Sequence, residues 1–385
     1  MTTDLLVVDS LNGLVRAEPL GPTADARPAP ASKDALIERL ATWQQDFIAG
    51  MSAATVRAVR ADWAQYIAWC ERMAQPPLPV PVERLEAFVR DAVVQGRKRA
   101  TVQRYVYTVG LVHTAAGLPS PAKDPRWRAK WKGLLKEMKS RGQVSATQAG
   151  ALQRDDVRTI LASLGTSPHD LRDAAMVALA SDTLLRESEL VAVRVEHFAY
   201  NRTRDAWTLH VPFSKANQDG QEADFRFVSR DARARIEVWL AAAGITAGYV
   251  FLPIGGRPKA PKLDPDDVLL LTSTPAQRVS DDATTPTVPS APKPLAAKEV
   301  ARIFRRRALA AGLDHAPTIS GHSTRIGTAN DLINAGKTTA QIQHAGGWRS
   351  AEMVTLYTRR SQAGVNAVAE LAAIEPPLPP PRRGG

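Results

Sequence analysis

The sequence is poor in the residues that build covalent or metal-based frameworks. Its 385 residues include one cysteine, Cys70, which excludes a disulfide framework and a thiolate metal cluster and fits a reducing cytoplasm. None of the seven histidines forms an HExxH-like pair, so we predict neither a metal nor another cofactor. The start lacks the basic region of a signal peptide, and no apolar run is long enough to span a membrane. We therefore expect a cytoplasmic protein without a membrane partner.

Positive charge is what the sequence has in excess. Fifty Lys and Arg residues against 39 Asp and Glu residues leave a formal net charge of +11. Residues 33–150 hold 19 basic and ten acidic residues, so most of the surplus lies in this part of the chain. Such a surface is expected for a phosphate-rich partner, although a charge run alone is more often a solvated surface. The charge therefore needs a motif beside it before it indicates a function.

Proline content and helical periodicity divide the chain into two domains. Helical patterns begin at Ser32, and a stretch without apolar periodicity, which we interpret as an exposed linker, separates two groups of them. Nine prolines mark residues 253–294 as a partly disordered insertion. The predicted segments are a flexible tail at 1–32, a basic helical domain at 33–139, a linker at 140–153, a second domain at 154–373 and a disordered tail at 374–385.

Cations cluster at two places in the basic helical domain. One group directly follows Gly96 at a helix N-terminus, where the helix dipole and the positive charge both favour an anion. The other is interleaved with Trp127 and Trp131 along a helix from about Pro125 to Lys139. We interpret these tryptophans as one buried edge of the helix and not as a base-stacking platform. The candidate DNA-binding residues are Arg97, Lys98, Arg99, Arg126, Arg128, Lys130 and Lys132.

The period changes from helical to alternating at two short segments of the second domain. Trp207–Phe213 and Asp224–Val228 predict β-strands, and the Asp219-Gly220 pair between them predicts a hairpin. Lys215 lies in this hairpin and is the only lysine between Lys139 and Lys259. The predicted fold class is mainly α, with a small β-sheet or hairpin in the second domain.

Four side chains near the C-terminus suit chemistry around one phosphate. Residues 321–325, Gly-His-Ser-Thr-Arg, supply His322 and Arg325, residues 346–348, Gly-Gly-Trp, supply Trp348, and Tyr357 follows. An arginine holds a phosphodiester through a planar fork of donors, a histidine moves a proton, an indole N–H donates one more hydrogen bond, and a phenol attacks phosphorus. The motif therefore predicts covalent cutting of nucleic acid.

A second motif extends this set to a family resemblance. Residues 184–190, Leu-Leu-Arg-Glu-Ser-Glu-Leu, precede the hairpin lysine, His-x-x-Arg, Gly-Gly-Trp and the tyrosine, in that order. The combination resembles the tyrosine site-specific recombinases, or phage integrase family, over about residues 33–373, and is most similar to its Cre branch. The resemblance implies a two-domain, C-shaped DNA clamp with a core-binding and a catalytic domain. It implies the catalytic set Arg186, Glu189, Lys215, His322, Arg325, Trp348 and Tyr357.

Elementary chemistry suits these residue types. In-line attack on a phosphodiester builds negative charge, which two guanidiniums, Arg186 and Arg325, can stabilise without Mg²⁺. A phenol is almost wholly protonated at neutral pH and needs a base to ionise. Trp348 has only a donor N–H, so by elimination His322 is the candidate base. Lys215 suits the protonation of the leaving 5′-oxygen.

The resemblance also implies an assembly. Four protomers, monomeric when free, would bind double-stranded DNA with an inverted-repeat site and exchange strands through a four-way junction without metal or ATP. Apolar residues in 361–373 predict a helix that docks on a neighbouring protomer. A type IB topoisomerase with a similar catalytic set and a catalytically silent DNA-binding relative are the alternatives. We expect a nucleoid-associated protein of bacterial, phage or plasmid origin.

Overall fold

The described residues of this computed structural model are 33–145, 148–212, 224–255, 292–365 and 367–374. They belong to two compact units, which divide between Thr147 and Gln148. Most of these residues are helical, and their sheet has three strands, which confirms the predicted fold class. The predicted N-terminal tail, Lys215, all but the ends of the proline-rich insertion and nearly all of the C-terminal tail lie outside the described residues. The clamp arrangement stays a prediction.

The first unit is a helical bundle. Ser52 begins its second helix by accepting a hydrogen bond from the Thr55 backbone N–H, and Asp124 caps its last helix in front of Pro125. Trp127 is buried in the common core and stacks on half-buried Trp131, with 5.9 Å between ring centroids, as the interpretation of a buried tryptophan edge predicts. The helices α1 to α5 span Lys33–Gly50, Ala53–Arg72, Val82–Val94, Arg99–Ala115 and Pro125–Ser140.

The second unit surrounds one long buried helix, α7, which spans Pro168–Thr183. Most residues from Arg172 to Thr183 on this helix are buried, because other helices and the sheet pack on several of its sides. A helix that is covered on several sides needs apolar residues over most of its surface, and the run of alanines in α7 meets that need. The helices α6 to α14 span Arg154–Ser163, Pro168–Thr183, Glu187–Val191, Arg230–Ala243, Ala297–Ala310, Ser323–Asn334, Thr339–Gly346, Ala351–Gln362 and Ala367–Ile374.

The sheet of the second unit is antiparallel, in the order β1-β2-β3. β1 spans Phe198–Asn201, β2 spans Ala206–Val211 and β3 spans Asp224–Val228. The predicted second strand has the observed bounds, and the predicted first strand corresponds to β2, which already ends at Val211. β1 was not predicted, because its four residues are half-buried or exposed and show no alternation of apolar and polar positions.

Residues 140–153 were predicted to be an exposed linker, and the structure corrects this exposure at two positions. Gln143 is buried, and its side-chain amide donates a hydrogen bond to the Val93 carbonyl at 2.8 Å. Leu152 is fully buried in the core of the second unit, and its backbone N–H donates to the Ser323 carbonyl at 2.9 Å. Exposure was wrong for these two residues, because hydrogen bonds of an extended chain and a single buried leucine leave no periodic pattern in a sequence. The assignment of 140–153 as the interdomain linker stays a prediction.

The last described helix, α14, carries apolar side chains on its surface. Val365, which precedes it, and Val368 and Leu371 within it are 60%, 73% and 58% exposed.

No helix among the described residues combines the length and the apolar character that a membrane crossing requires.

Candidate active site

Arg186 stands at the junction between α7 and α8. Leu184 ends α7 in the left-handed conformation, with a φ of 51°, and Arg186 is the N-cap of α8. The Arg186 backbone N–H donates to Glu189 Oε2 at 2.9 Å, and its guanidinium Nη1 donates to Oε1 at 2.6 Å. Burial works to raise the pKa of Glu189, but these hydrogen bonds and the charge of Arg186 outweigh it and lower that pKa. Glu189 is thus an ionised support that fixes the direction of the Arg186 guanidinium.

His322 is held by a compact turn in front of α11. The Ser320 N–H donates to Ser323 Oγ at 2.8 Å, and the His322 N–H donates to Ser320 Oγ at 3.2 Å. Gly321 has no room for a side chain, because the carboxylate of Glu187 occupies the space that a Cβ atom would need. The turn therefore brings His322, an exposed residue, beside the first turn of α8.

Arg325 lies one turn further along α11 and is only 1% exposed. Its guanidinium donates to the carbonyls of Leu184 and, at 3.3 Å, Gly346, while its Nε finds no partner among the described residues. Burial, together with the nearby charge of Arg186, lowers the pKa of Arg325 to about 10, although Tyr357 and Glu189 act in the opposite direction. The group therefore remains charged at neutral pH.

Trp348 and Tyr357 complete the cluster. Gly347 ends α12 in the left-handed conformation, with a φ of 60°, and the Trp348 ring then packs over Gly346. The ring lies 4.7 Å from the Arg325 guanidinium carbon and 5.4 Å from the Tyr357 ring. The indole Nε1 is buried and has no hydrogen-bond partner within the described part of the chain. A buried donor without a protein acceptor, on a ring that contacts an arginine and a tyrosine, is a group whose hydrogen bond an anionic ligand can supply.

Six of the seven predicted catalytic residues come together in the second unit. The charges that act on Arg325 include those of Arg186 and Glu189, and the charges that act on His322 include those of Arg325 and Arg186. Trp348 joins Arg325 to Tyr357 by ring contacts. Lys215, the seventh, lies outside the described residues. The six residues that lie together are Arg186, Glu189, His322, Arg325, Trp348 and Tyr357.

The predicted DNA-binding residues differ in their exposure and in whether a carboxylate pairs with them. Arg97 and Lys98 are exposed in front of α4, and Arg99, its first residue, is half-buried. On α5 the two cations that face α3 form ion pairs: Arg126 with Glu83 and Asp124, and Lys130 with Glu86. The other two cations, Arg128 and Lys132, are exposed. Arg97, Lys98, Arg128 and Lys132 form no ion pair with a carboxylate among the described residues, whereas Arg126, although exposed, does.

Two further features of the site were not predicted from the sequence. Glu187 lies against the His322 turn, and no motif marks it, because it only fills the variable position after Arg186. Arg226 on β3 lies against Gly347, although the residues around it in sequence suggest only an alternating strand. The glycines at 321 and 347 were the available signals, since a glycine beside a functional residue often marks a close approach.

Comparison with known proteins gives a consistent result. Residues 151–363 match the phage integrase family. The chain is 24% identical over 323 residues to the Cre recombinase of Escherichia phage P1, covering 82% of this chain and 85% of that protein. Two solved structures share the fold at low identity. One is XerH site-specific recombinase bound to a palindromic difH substrate, with a TM-score of 0.54 and 12% identity, which covers 89% of this chain and 88% of that chain. The other is the Tn1549 transposon integrase in complex with transposon right end DNA, with a TM-score of 0.55 and 11% identity, which covers 86% of this chain and 96% of that chain.

Proposed function

Because the chain belongs to the phage integrase family, we propose that it is a site-specific DNA recombinase, which cuts and rejoins strands through a 3′-phosphotyrosyl intermediate. The observation that carries this proposal is a cluster in which Arg325 and the unpaired Trp348 N–H group adjoin Tyr357, while Arg186 and His322 adjoin Arg325. Every one of these groups has a task at a phosphodiester that a phenol attacks.

The two guanidiniums stabilise the transition state. As the Tyr357 oxygen bonds to phosphorus, negative charge grows on the non-bridging oxygens, where Arg186 and Arg325 supply fixed positive charge. Burial of Arg325 strengthens this effect, because little water screens it. The Trp348 N–H adds a hydrogen bond to one of these oxygens. The arginines supply the charge that a divalent metal supplies in other phosphoryl-transfer enzymes, so neither metal nor ATP is required.

Proton transfers accompany both bond changes. His322 accepts the phenol proton as Tyr357 attacks, and Lys215 donates a proton to the 5′-oxygen as it leaves. The phosphotyrosyl bond conserves the energy of the phosphodiester until another 5′-hydroxyl attacks it, and the same groups then work in reverse. Glu189 contributes by orienting Arg186.

The base role of His322 predicts a pH dependence. Although the residue is exposed, partial desolvation of the imidazole lowers the His322 pKa below its ordinary value, Glu187 and Glu189 oppose this shift, and Arg325 and Arg186 add to it. The neutral imidazole therefore persists below a pH of about 6.5, and cleavage is lost only as the pH falls through the lowered pKa. Glu187→Gln removes a charge that raises this pKa, so the acidic limb of the single-turnover cleavage rate should move to lower pH.

Rates measured between about pH 5 and pH 8 test this expectation. Glu352→Gln, at an exposed carboxylate on α13, is the matched control and should leave the acidic limb in place. An acidic limb that moves to higher pH in Glu187→Gln, or that does not move, contradicts the proposed coupling between Glu187 and His322.

We propose that the first unit contacts the DNA backbone. Arg97, Lys98 and Arg99 at the start of α4, with Arg128 and Lys132 on α5, supply positive charge to phosphates. Arg126 and Lys130 belong to the same proposed surface, but their carboxylate partners reduce what they offer a phosphate. Contacts to phosphate give affinity without sequence preference, so base edges of an inverted repeat supply the specificity.

Assembly of a tetramer on DNA uses the chain after Tyr357. We propose that the segment 361–373 docks on a neighbouring protomer, because Val365, Val368 and Leu371 expose apolar surface at its end. Truncation after Gln362, which keeps α13 whole, should leave binding to one half-site near normal. Cooperative filling of the full site and strand exchange should fall by about 100-fold, since the linkage between protomers is lost.

A gel-shift series on half-sites and full sites measures both effects. Leu371→Asp should reproduce the truncation, whereas Leu309→Asp, at an equally exposed leucine of α10, should behave as the unchanged protein. Full cooperativity and recombination in the truncated protein would remove α14 from assembly.

Capture of covalently bound DNA tests the function itself. The protein is incubated with a library of duplex fragments in a buffer with a chelator, denatured and digested, and the DNA attached to the tyrosine peptide is sequenced. A recombinase should yield 3′-linked ends at one inverted-repeat site. Linked ends at many unrelated sequences would favour the type IB topoisomerase, and no linked DNA would favour the silent DNA-binding relative.

A further inference from the structure

Arg226 is a charged side chain on the core side of the sheet. It lies on β3 opposite Leu209 of β2, and its side chain is only 6% exposed. Both of its terminal nitrogens donate to the carboxylate of Asp224, two residues earlier on the same face of the strand, with 2.5 Å between Nη2 and Oδ2. A buried guanidinium is costly unless such a partner neutralises it, so the pair acts as one unit.

The pair lies directly against the end of α12. Gly347 adopts the left-handed conformation there, and a Cβ atom at this position would overlap Nη2 of Arg226 and come within 3.2 Å of Asp224 Oδ2. Two independent constraints, the backbone conformation and the guanidinium, therefore require glycine at position 347. The close approach places Arg226 at the turn that leads into Trp348.

The same turn touches a second buried guanidinium. Arg325 Nη2 donates to the Gly346 carbonyl at 3.3 Å, and the Arg325 guanidinium lies 4.7 Å from the Trp348 ring. Residues 346–348 thus contact Arg325, which belongs to the proposed catalytic set, and Arg226, which does not. Trp348 needs this support, because its Nε1 has no hydrogen bond within the described residues that could fix its direction.

We propose that Arg226 and Asp224 form a positioning clamp, which fixes the turn at residues 346–348 and thereby aims the Trp348 indole N–H at the scissile phosphate. This positioning clamp rests on the proposed function in one respect only, namely that the group which the Trp348 N–H meets is a DNA phosphate. Arg226 is a positioning residue and not a catalytic one, since it acts through the backbone of Gly347. An ion pair that served only the stability of the sheet would not need to lie against this turn.

Fluorine spectroscopy tests the structural part of the clamp without reference to activity. Labelling with 5-fluorotryptophan gives signals for the eight tryptophans, and the signal that disappears in Trp348→Phe belongs to Trp348. Arg226→Met should shift or broaden this signal. The matched control is Arg233→Met, because Arg233 is a largely buried arginine of the same unit that stacks on Trp207 at 4.4 Å. It should change the signal of Trp207 and leave that of Trp348.

A double-mutant cycle on the cleavage rate tests the functional part. Arg226→Met and Trp348→Phe should each slow formation of the covalent adduct, the former by about 10-fold to 100-fold, as a misplaced group does. The double variant should be no slower than the slower single variant, because both changes remove the same contact. Half-site binding and circular dichroism verify that each variant is folded, and Asp224→Asn replaces Arg226→Met if the latter does not fold.

The outcomes separate the clamp from the function. An unchanged Trp348 signal in folded Arg226→Met, or effects of the two substitutions that multiply, would overturn the clamp. If the unsubstituted protein forms no adduct with any DNA, the proposed function fails while the fluorine result still decides whether Arg226 positions Trp348.

Discussion

Tyr357→Phe is expected to form no denaturation-resistant adduct with DNA while it keeps its affinity for the duplex. The substitution removes only the phenol oxygen, so the ring contact with Trp348 and the packing against the apolar cluster that includes Val354 and Ile342 persist. Without the oxygen no protein atom can attack phosphorus, and adduct formation should fall by about 10³-fold or more. Electrophoresis of labelled DNA under denaturing conditions measures the adduct, and a native gel measures binding.

Tyr200→Phe is the matched control for this experiment. Tyr200 is an exposed tyrosine of the same unit, and its hydroxyl donates to Asp205 on the outside of the sheet. Its replacement should leave the adduct at the level of the unsubstituted protein. A normal adduct in Tyr357→Phe would show that another residue is the nucleophile.

Lys215→Ala is expected to lose cleavage by about 10² to 10⁴-fold, the range of a general acid, and to recover it on a modified substrate. A DNA with sulfur at the 5′-bridging position of the scissile phosphate releases a thiolate, which leaves without a proton. The need for an acid then disappears. Single-turnover cleavage of the oxygen and sulfur substrates by each variant gives the comparison.

Arg325→Ala provides the contrast. In the proposed mechanism Arg325 stabilises charge on the non-bridging oxygens, which sulfur at the bridging position does not relieve, so rescue should be weak. The guanidinium also holds the carbonyls of Leu184 and Gly346, so thermal unfolding must accompany the rate measurement. Equal rescue of both variants would mean that Lys215 is not a dedicated acid.

The sequence was sufficient for those parts of the site whose residues are close together in the chain. His322 and Arg325 are one helical turn apart, so their motif already implies that they share one end of α11. The separation between Arg186 and Arg325 in sequence is far greater. No local pattern brings them together, and only the resemblance to a family predicted that they meet.

Contacts between a side chain and backbone that is far away along the chain could not be predicted from the sequence. Apolar alternation in β3 alone would turn Phe225 and Phe227 inward, yet they are 55% and 59% exposed, while Arg226 lies in the interior. The reason is tertiary, because Asp224 and the turn at Gly347 give Arg226 partners that solvent-facing positions would not. The contact of Glu187 with the His322 turn could not be predicted for the same reason, since Gly321, which Glu187 adjoins, is far away in sequence.

The segment that enters the second unit has a consequence for protein engineering. The Gln148 side chain donates to the Tyr357 carbonyl at 3.2 Å, and the backbone N–H groups of Gly150 and Leu152 donate to the carbonyls of Thr318 and Ser323. Residues 148–153 are therefore an integral part of the second unit. A chimera that exchanges the first unit for that of a relative should join the two sequences before Gln148. A later junction would replace groups that hydrogen-bond to Tyr357 and to the turn that holds His322.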